Sequence, residues 1–411
     1  MILAQNHLLR LSGNKYCLIF FMGLFLISCS PKVITTTTKK PEPVKSVEKK
    51  VDKPISKFSQ ANIALLIPFR LNEINLKTAT KAEVEKSSMA IDFYQGFKIG
   101  IDSAATMGLN FKINVYDTRD NNTQVAGLIQ NGGLNTANLI IGPVFPQGLK
   151  YIKNYSVDRE IPVVNPLAAT HPNEFDNPNL ISIVNNIQLH SNKLGDFISK
   201  SYNPANCIIV LINPKRPDDE IMAGPLRTYF ANSKKQFLLQ EYGSVFSMET
   251  KLVKGKKYVV VVTSSDRNFV IPTLDKLVKL KNAGILNLDL YGHPDWIKQN
   301  YNIDKLQALH ATVTSSYKVD YTSNAVNEFI KKYRSEFHFE PGEYAFKGFD
   351  IGFYFATLLS RHGKDYLKYL TQEKYNGLHN QFLFIHDEKL GYINTSLMLL
   401  RYENFALNII E

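Results

Sequence analysis

Three cysteines and one tryptophan are all that 411 residues contain. Cys17 lies inside an apolar run, Cys29 follows its end, and Cys207 sits alone in "NCIIVLI". Cysteines so few and so far apart exclude a disulfide framework and a cysteine-built zinc site. Cys207 reads as a small buried hydrophobe. Catalytic signatures are missing as well. There is no G-x-S-x-G, no G-x-x-x-x-G-K-[ST], no G-x-G-x-x-G and no H-E-x-x-H. Two acidic clusters remain. "DTRD" (117–120) follows a strand-like run and reads as a local ion pair with a helix cap. "HDE" (386–388) reads as a solvated turn. These absences speak against an enzyme, a metal and a cofactor.

Long hydrophobic runs are also missing. The longest, "CLIFFMGLFLI" (17–27), falls short of the roughly 20 residues that a membrane span needs. It follows Arg10 and Lys15 and suits a secretory signal. It ends in Leu26-Ile27-Ser28-Cys29, which resembles a bacterial lipobox. That resemblance implies a signal peptide over 1–28 and acylation of Cys29, and several acyl chains on one residue anchor stably. Residues 29–60 then hold the acylated Cys and "TTTTKKPEPVKSVEKKVDKP", too poor in large apolar groups to offset its ordering entropy. A disordered tether is expected there.

The formal charge of +11 comes mostly from these first segments. From Ala61 onward 38 basic residues face 34 acidic ones. A basic nucleic-acid footprint is therefore absent, and no nucleic-acid partner is expected.

What remains is a repeated alternation. "IALLIPF", "FKINVYD", "ANLIIGP" and "IPVVNP" read as strands. Helical patterns over 90–107, 124–134 and 146–157 separate them. After "LISIVNN" the rhythm restarts with helices over 189–201, 219–231 and 267–280. They lie between the strands "CIIVLIN", "FLLQEY", "YVVVVTSS", "LDLYG" and "LHATVTSS". Strands separated by helices imply parallel sheets with helices on both faces. Two further helices are expected near 326–337 and 344–360, the second rich in aromatics. "FLFIH", a turn over 388–391 and "SLMLLRY" read as a closing hairpin.

The motifs "IALLIPF", "FYQGFKIGID", "VYDTRDN", "ANLIIGPVFP", "REIPVVNPLA", "LDLYGHPDW" and "EPGEYAFKGFDIGFYFATLL" follow one another in order. That order resembles type I periplasmic binding proteins, a family that includes the branched-chain amino-acid receptors of ABC importers. The nearest look is to lipoproteins of the Bacteroidota kind, often fused to LysM modules; the 31-residue tether has no room for one. The resemblance implies an α/β fold of two Rossmann-like lobes with parallel sheets, joined by three hinge strands. Lobe one would be 61–182 plus 318–383. Lobe two would be 183–317 plus 384–411.

In open parallel sheets ligands bind beyond the carboxyl ends of the strands. On lobe one those ends offer Phe69, Arg70, Pro143, Phe145, Leu167, Ala168 and Thr170. On lobe two they offer Asn213, Lys215, Ser264, Ser265, His293 and Trp296. Amino-acid receptors of the family place a Ser near Pro146, and proline supplies neither its hydroxyl nor an N–H. Asp266 and Asp295 are the acidic candidates for an ammonium. The expected role is a lipid-anchored extracytoplasmic protein that holds a small polar ligand between its lobes for uptake or sensing, with an ABC permease as partner. The alternative is a non-enzymatic regulator of cell-wall synthesis that docks a synthase. It would resemble the outer-membrane lipoprotein that activates penicillin-binding proteins. Either would be anchored to the inner or outer membrane, facing the periplasm.

Overall fold

A computed structural model describes residues 58–75 and 77–411. The signal segment, Cys29 and nearly all of the tether lie outside the described residues. Among the described residues no helix is long and apolar enough to cross a membrane.

The first half of the chain builds one sheet by alternation. β1 (Gln60–Ile67) leads to α1 (Lys81–Ala105), β2 (Asn110–Asp117), α2 (Asn122–Gln130) and β3 (Leu139–Ile141). Then come α3 (Pro146–Arg159), β4 (Val163–Asn165) and β5 (Leu180–Ser182). The strands pair in parallel, with Gln60 opposite Asn110 and Ile67 opposite Asp117. The chain crosses and repeats the plan with α4 (Ile187–Ser201), β6 (Cys207–Ile212), α5 (Pro217–Asn232) and β7 (Leu238–Tyr242). α6 (Val245–Glu249), β8 (Lys257–Val262), α7 (Arg267–Asn282), β9 (Asn287–Tyr291), α8 (Ile303–Ala308) and β10 (Thr312–Ser315) complete it. β6 is buried along its whole length and β8 nearly so. That explains their unbroken apolar runs, since helices cover both faces of the sheet. Leu194, Ile198, Met222 and Leu226 pack on one face of this sheet, and Val270, Leu274 and Leu277 on the other.

The chain then returns to the first lobe. α9 (Asn324–Phe337) and α10 (Glu343–His362) precede a two-stranded ribbon, β11 (Tyr375–Asn376) with β12 (Gln381–Phe382). β13 (Phe384–Asp387) and β14 (Gly391–Asn394) form a tight hairpin whose second strand pairs parallel to β5. The chain crosses once more into β15 (Met398–Glu403) and β16 (Ala406–Ile409), which add antiparallel strands beside β10. Among the described residues each of the two large sheets thus has seven strands: β13-β14-β5-β4-β3-β1-β2 and β16-β15-β10-β9-β8-β6-β7.

The closing hairpin differs from the sequence reading. "FIHD" pairs with "GYIN", whereas "SLMLLRY" belongs to the other sheet. The change of lobe expected at 383/384 therefore falls after Asn394. The cause is local. The Asp387 carboxylate accepts the N–H groups of Lys389 and Leu390, and Gly391 turns with φ +79°. α1 also begins nine residues earlier than expected, at Lys81. Its first two turns are mostly exposed and carry no apolar stripe, but Thr80 and Glu83 cap each other.

α10 lies against α1 at a crossing of small residues. Gly96 and Gly100 on α1 meet Gly348 and Gly352 on α10, with Phe93 and Phe97 between them. A Cβ at Gly96 would overlap the carbonyl oxygen of Ala345, and one at Gly348 would overlap that of Phe93. Backbone cannot retreat as a side-chain tip can, so overpacking here costs about 1–3 kcal/mol or more. Gly96→Ala and Gly348→Ala should each lower the unfolding free energy by that amount, read as a lower urea midpoint at unchanged m. Gly127→Ala, on open α2 surface with nothing near its Cβ, should not. Equal midpoints for all three would refute this account of the crossing.

Candidate functional site

Three segments run between the lobes: 183–186, 316–323 and 395–397. Carboxamides knit them together. Asn394 uses its whole hydrogen-bonding capacity. Its Nδ2 donates to the carbonyls of Ile183 and Gln381, and its Oδ1 accepts from Leu383 and Ser396 N–H. Asn185 Nδ2 donates to the Asn394 carbonyl at 2.7 Å. Asn380 Nδ2 donates to Ser316 O, and Lys318 N donates to His379 O. The 377–380 loop is held in turn by Asp350, which is fully buried. Its carboxylate accepts the N–H groups of Leu378, His379 and Asn380 and the Tyr375 hydroxyl. Burial pushes the Asp350 carboxyl up to about 6 even against those four donors.

Beside this knot a cavity of about 650 Å³ opens between the lobes. The crossings supply its base through Val184, Asn185, Ser316 and Tyr317. Lobe one supplies Thr170, His171 and Glu174; lobe two supplies Asp218, Ser265, His293, Asp295 and Lys298. Tyr317 is fixed by stacking on His379, with ring centroids 4.6 Å apart. His190 is buried at the base. Its Nδ1 lies 2.8 Å from Thr314 Oγ1 and its Nε2 3.3 Å from Ser316 Oγ. Burial, with His293 close by, pushes its pKa down to about 3, so the ring is neutral.

Both walls present the same small device. On lobe one, Asn165 binds the backbone of Ala168 through both side-chain ends and shapes the loop that leads to His171. His171 then caps a short 3-10 turn opened by Pro172, its Nδ1 accepting Asn173 N–H. On lobe two, His293 caps a turn opened by Pro294, its Nδ1 accepting Asp295 N–H. Behind that turn Trp296 is fully buried, its indole N–H donating to Ser264 O. Burial pulls His293 below the ordinary histidine range. Burial pushes Asp295 up, but Lys298 at 2.7 Å and His293 more than offset it and leave the carboxyl below its usual range.

Of the residues singled out in the sequence, Thr170, Ser265 and His293 lie on this wall, as does Asp295. The others have different employment. Trp296 presents no face to the cavity. Asn213 is buried and donates to Glu220 and Glu241. Lys215 pairs with the same two carboxylates. Ser264 accepts from Arg216, which also pairs with Asp219 and Asp266. On lobe one, Phe69 packs edge-on against Tyr94, and Arg70 pairs with Asp120. In "DTRD", Asp117 accepts the N–H groups of Arg70, Leu71 and Arg119, a structural role. Pro143 is buried behind the bend at Gly142 (φ +88°), where a Cβ would overlap Leu66 O. Phe145 is exposed at the start of α3, and Leu167 and Ala168 are half-buried beneath Thr170; none of these lines the cavity. His171, Asn185, His190 and Tyr317 were not foreseen. The available signal was the parallel between "HPNE" and "HPDW".

The buried histidines set a pH dependence. His190 and His379 both stay neutral in the fold, pushed down to about 3 by burial. An unfolded histidine titrates near 6.5. Below that pH the unfolded chain binds protons that the folded one refuses, so stability falls as pH drops from 6.5 toward 3. Asp350 acts oppositely. Its folded carboxyl keeps a proton up to about 6, so between roughly pH 4 and 6 its contribution declines as pH rises. Urea midpoints should fall between pH 7.5 and 5. The fall should be shallower in His190→Gln and His379→Gln; unchanged slopes in both would contradict this assignment.

No family model matches the chain, and no curated protein matches it either. Solved structures do. An ABC transporter substrate-binding protein from Desulfitobacterium hafniense, in complex with Leu, is 13% identical with a TM-score of 0.53, over 85% of this chain and 100% of that one. A putative branched-chain amino acid ABC transporter protein from Rhodospirillum rubrum gives 13% and 0.62, over 85% and 100%. Full-length LpoA from Haemophilus influenzae gives 13% and 0.53, over 85% of this chain and 59% of that one. Identities this low carry the fold and not the ligand. The chain has the two-lobed α/β fold of type I periplasmic binding proteins, and its structural neighbours include periplasmic substrate-binding proteins of branched-chain amino acid ABC transporters.

Proposed function

We propose that this chain is a lipid-anchored extracytoplasmic binding protein that holds a small polar ligand in the inter-lobe cleft for uptake or sensing. The observation that carries the reading is the cavity itself. Both lobes and the crossings line it, and Asn185 and His190, both more than nine-tenths buried, stand at its base. A ligand touching all three parts would favour the arrangement that brings the lobes together, which is how binding becomes a signal to a partner. The role read here is binding and not catalysis: His171 and His293 cap turns, and His190 is shared between the hydroxyls of Thr314 and Ser316 with no carboxylate hydrogen-bonded to its ring. The lipobox-like Leu26-Ile27-Ser28-Cys29 supports anchoring through Cys29 and an envelope location. The resemblance to Bacteroidota lipoproteins agrees with that.

A ligand present at 100 times its Kd should stabilise the fold by about 2.7 kcal/mol. At least one class in a metabolite screen should therefore raise the melting temperature of the purified protein. If no class does, and a cell-wall synthase co-purifies without added small molecule, a docking role replaces this one. Cys29→Ala should move the protein from the membrane to the soluble envelope fraction; retention in the membrane would remove the lipid anchor.

A further inference from the structure

We propose that the cleft takes an uncharged, multiply hydroxylated ligand of the carbohydrate class, and that His171 and His293 grip it from opposite lobes through their Nε2–H groups. The proposal rests on the reading of the cleft as a ligand site and adds the chemistry of what fills it.

The first observation is the polarity of the two imidazoles. In each the Nδ1 accepts a backbone N–H, from Asn173 at 3.2 Å and from Asp295 at 3.1 Å. A neutral imidazole that accepts at Nδ1 carries its proton on Nε2. Each lobe therefore offers one N–H donor held in orientation by a Pro-initiated turn. Among the described residues neither Nε2 has a hydrogen-bond partner. The same polarity argues against a metal, because a ligating imidazole donates from its other nitrogen to a carboxylate or carbonyl.

The second observation is an acceptor that lacks a donor. Asn185 is 2% exposed and lines the cavity; its Nδ2 is engaged, and its Oδ1 has no partner. A buried acceptor left unpaired costs free energy, and because this oxygen is almost sealed from solvent, a ligand donor recovers that cost once the carboxamide turns toward the cavity. The occupant must therefore accept from two imidazoles and also donate to a carboxamide. A lone carboxylate can only accept and a lone ammonium can only donate; a zwitterion or a hydrogen phosphate meets this count and is disfavoured only by the charge of the wall. A hydroxyl does both, and the hydroxyls of Thr170 and Ser316 on the same wall add further donor–acceptor groups.

The third observation is charge. Glu174 is paired with Lys150 at 3.0 Å and Asp295 with Lys298 at 2.7 Å. Asp218 alone has no partner among the described residues, and it lies exposed at the rim. Among the described residues no free cation on this wall is left to meet an anion. Desolvating a charged ligand against neutral dipoles is unfavourable unless it is paired. A neutral polyol avoids that cost.

The test is isothermal titration calorimetry of the whole protein against D-glucose, D-ribose, N-acetyl-D-glucosamine and cellobiose, with L-leucine, L-glutamate and inorganic phosphate as counter-probes. One of the sugars should bind 1:1. His171→Ala and His293→Ala should each weaken it by roughly 3- to 10-fold. His293→Gln, which keeps an N–H donor, should recover most of the loss. A small drop in urea midpoint from the lost turn cap is expected, and an unchanged m-value shows that the fold is intact. Silence of every sugar overturns the class assignment, as does a bound sugar indifferent to both alanine variants. Binding of leucine, glutamate or phosphate that is lost in those variants also overturns it, but leaves the cleft-binding reading standing. Silence of every probe here and in the metabolite screen removes both.

Discussion

A chain that passes three times between two sheets must satisfy backbone groups where no strand neighbour exists. Asn394 meets that constraint, and the rest of the structure depends on it. Its carboxamide makes four hydrogen bonds, joining the first crossing to the ribbon beside the second and to the start of the third. Asn185 ties back to the Asn394 carbonyl, and Asn380 reaches Ser316. Buried backbone groups left unpaired would each cost on the order of 1–3 kcal/mol. Short amides are suited to the task because each donates and accepts without carrying charge. The buried Asp350 carboxylate supplies what amides cannot, an acceptor for three successive N–H groups.

The cleft follows from that junction. Its base is made of the same residues that hold the crossings, so the place where a ligand would sit is also the place where the lobes are coupled. The rims behave differently. On lobe two, Lys215, Arg216 and Arg227 are tied to Glu220, Glu241, Asp219 and Asp266. A strand-end loop that closes its ion pairs internally has little left to offer. On the proposed reading, recognition falls instead to the neutral groups on the histidine-capped turns.

Much of this architecture was legible in the sequence. Alternation of short apolar runs with helical spacing gives the doubly wound halves, and "CIIVLI" and "YVVVV" show sheets covered on both faces. The first turns of α1 escaped because exposed residues such as Lys81 and Glu85 leave no periodic trace. Only the Thr80–Glu83 pair marked that start. β14 escaped because four residues beginning with glycine look like the end of a turn. The site was harder to read. Position at a strand end says that Asn213, Ser264 or Trp296 is near the top of a sheet. It does not say which way the side chain faces, and that was decided by partners distant in sequence, such as Arg216 for Ser264. His171 and His293 share a local pattern, but its meaning depends on the two turns meeting across a gap.

The glycine crossing of α1 with α10 joins segments about 250 residues apart, and α10, β13 and β14 are all made after β6 to β10. In a chain synthesised from its N-terminus, the first sheet emerges without the helix that covers Phe93 and Phe97. That apolar face stays wet while most of the second sheet passes. The first lobe to be started thus waits for its covering helix until β10 has been made, and only β15 and β16 of the second sheet follow its own last strands.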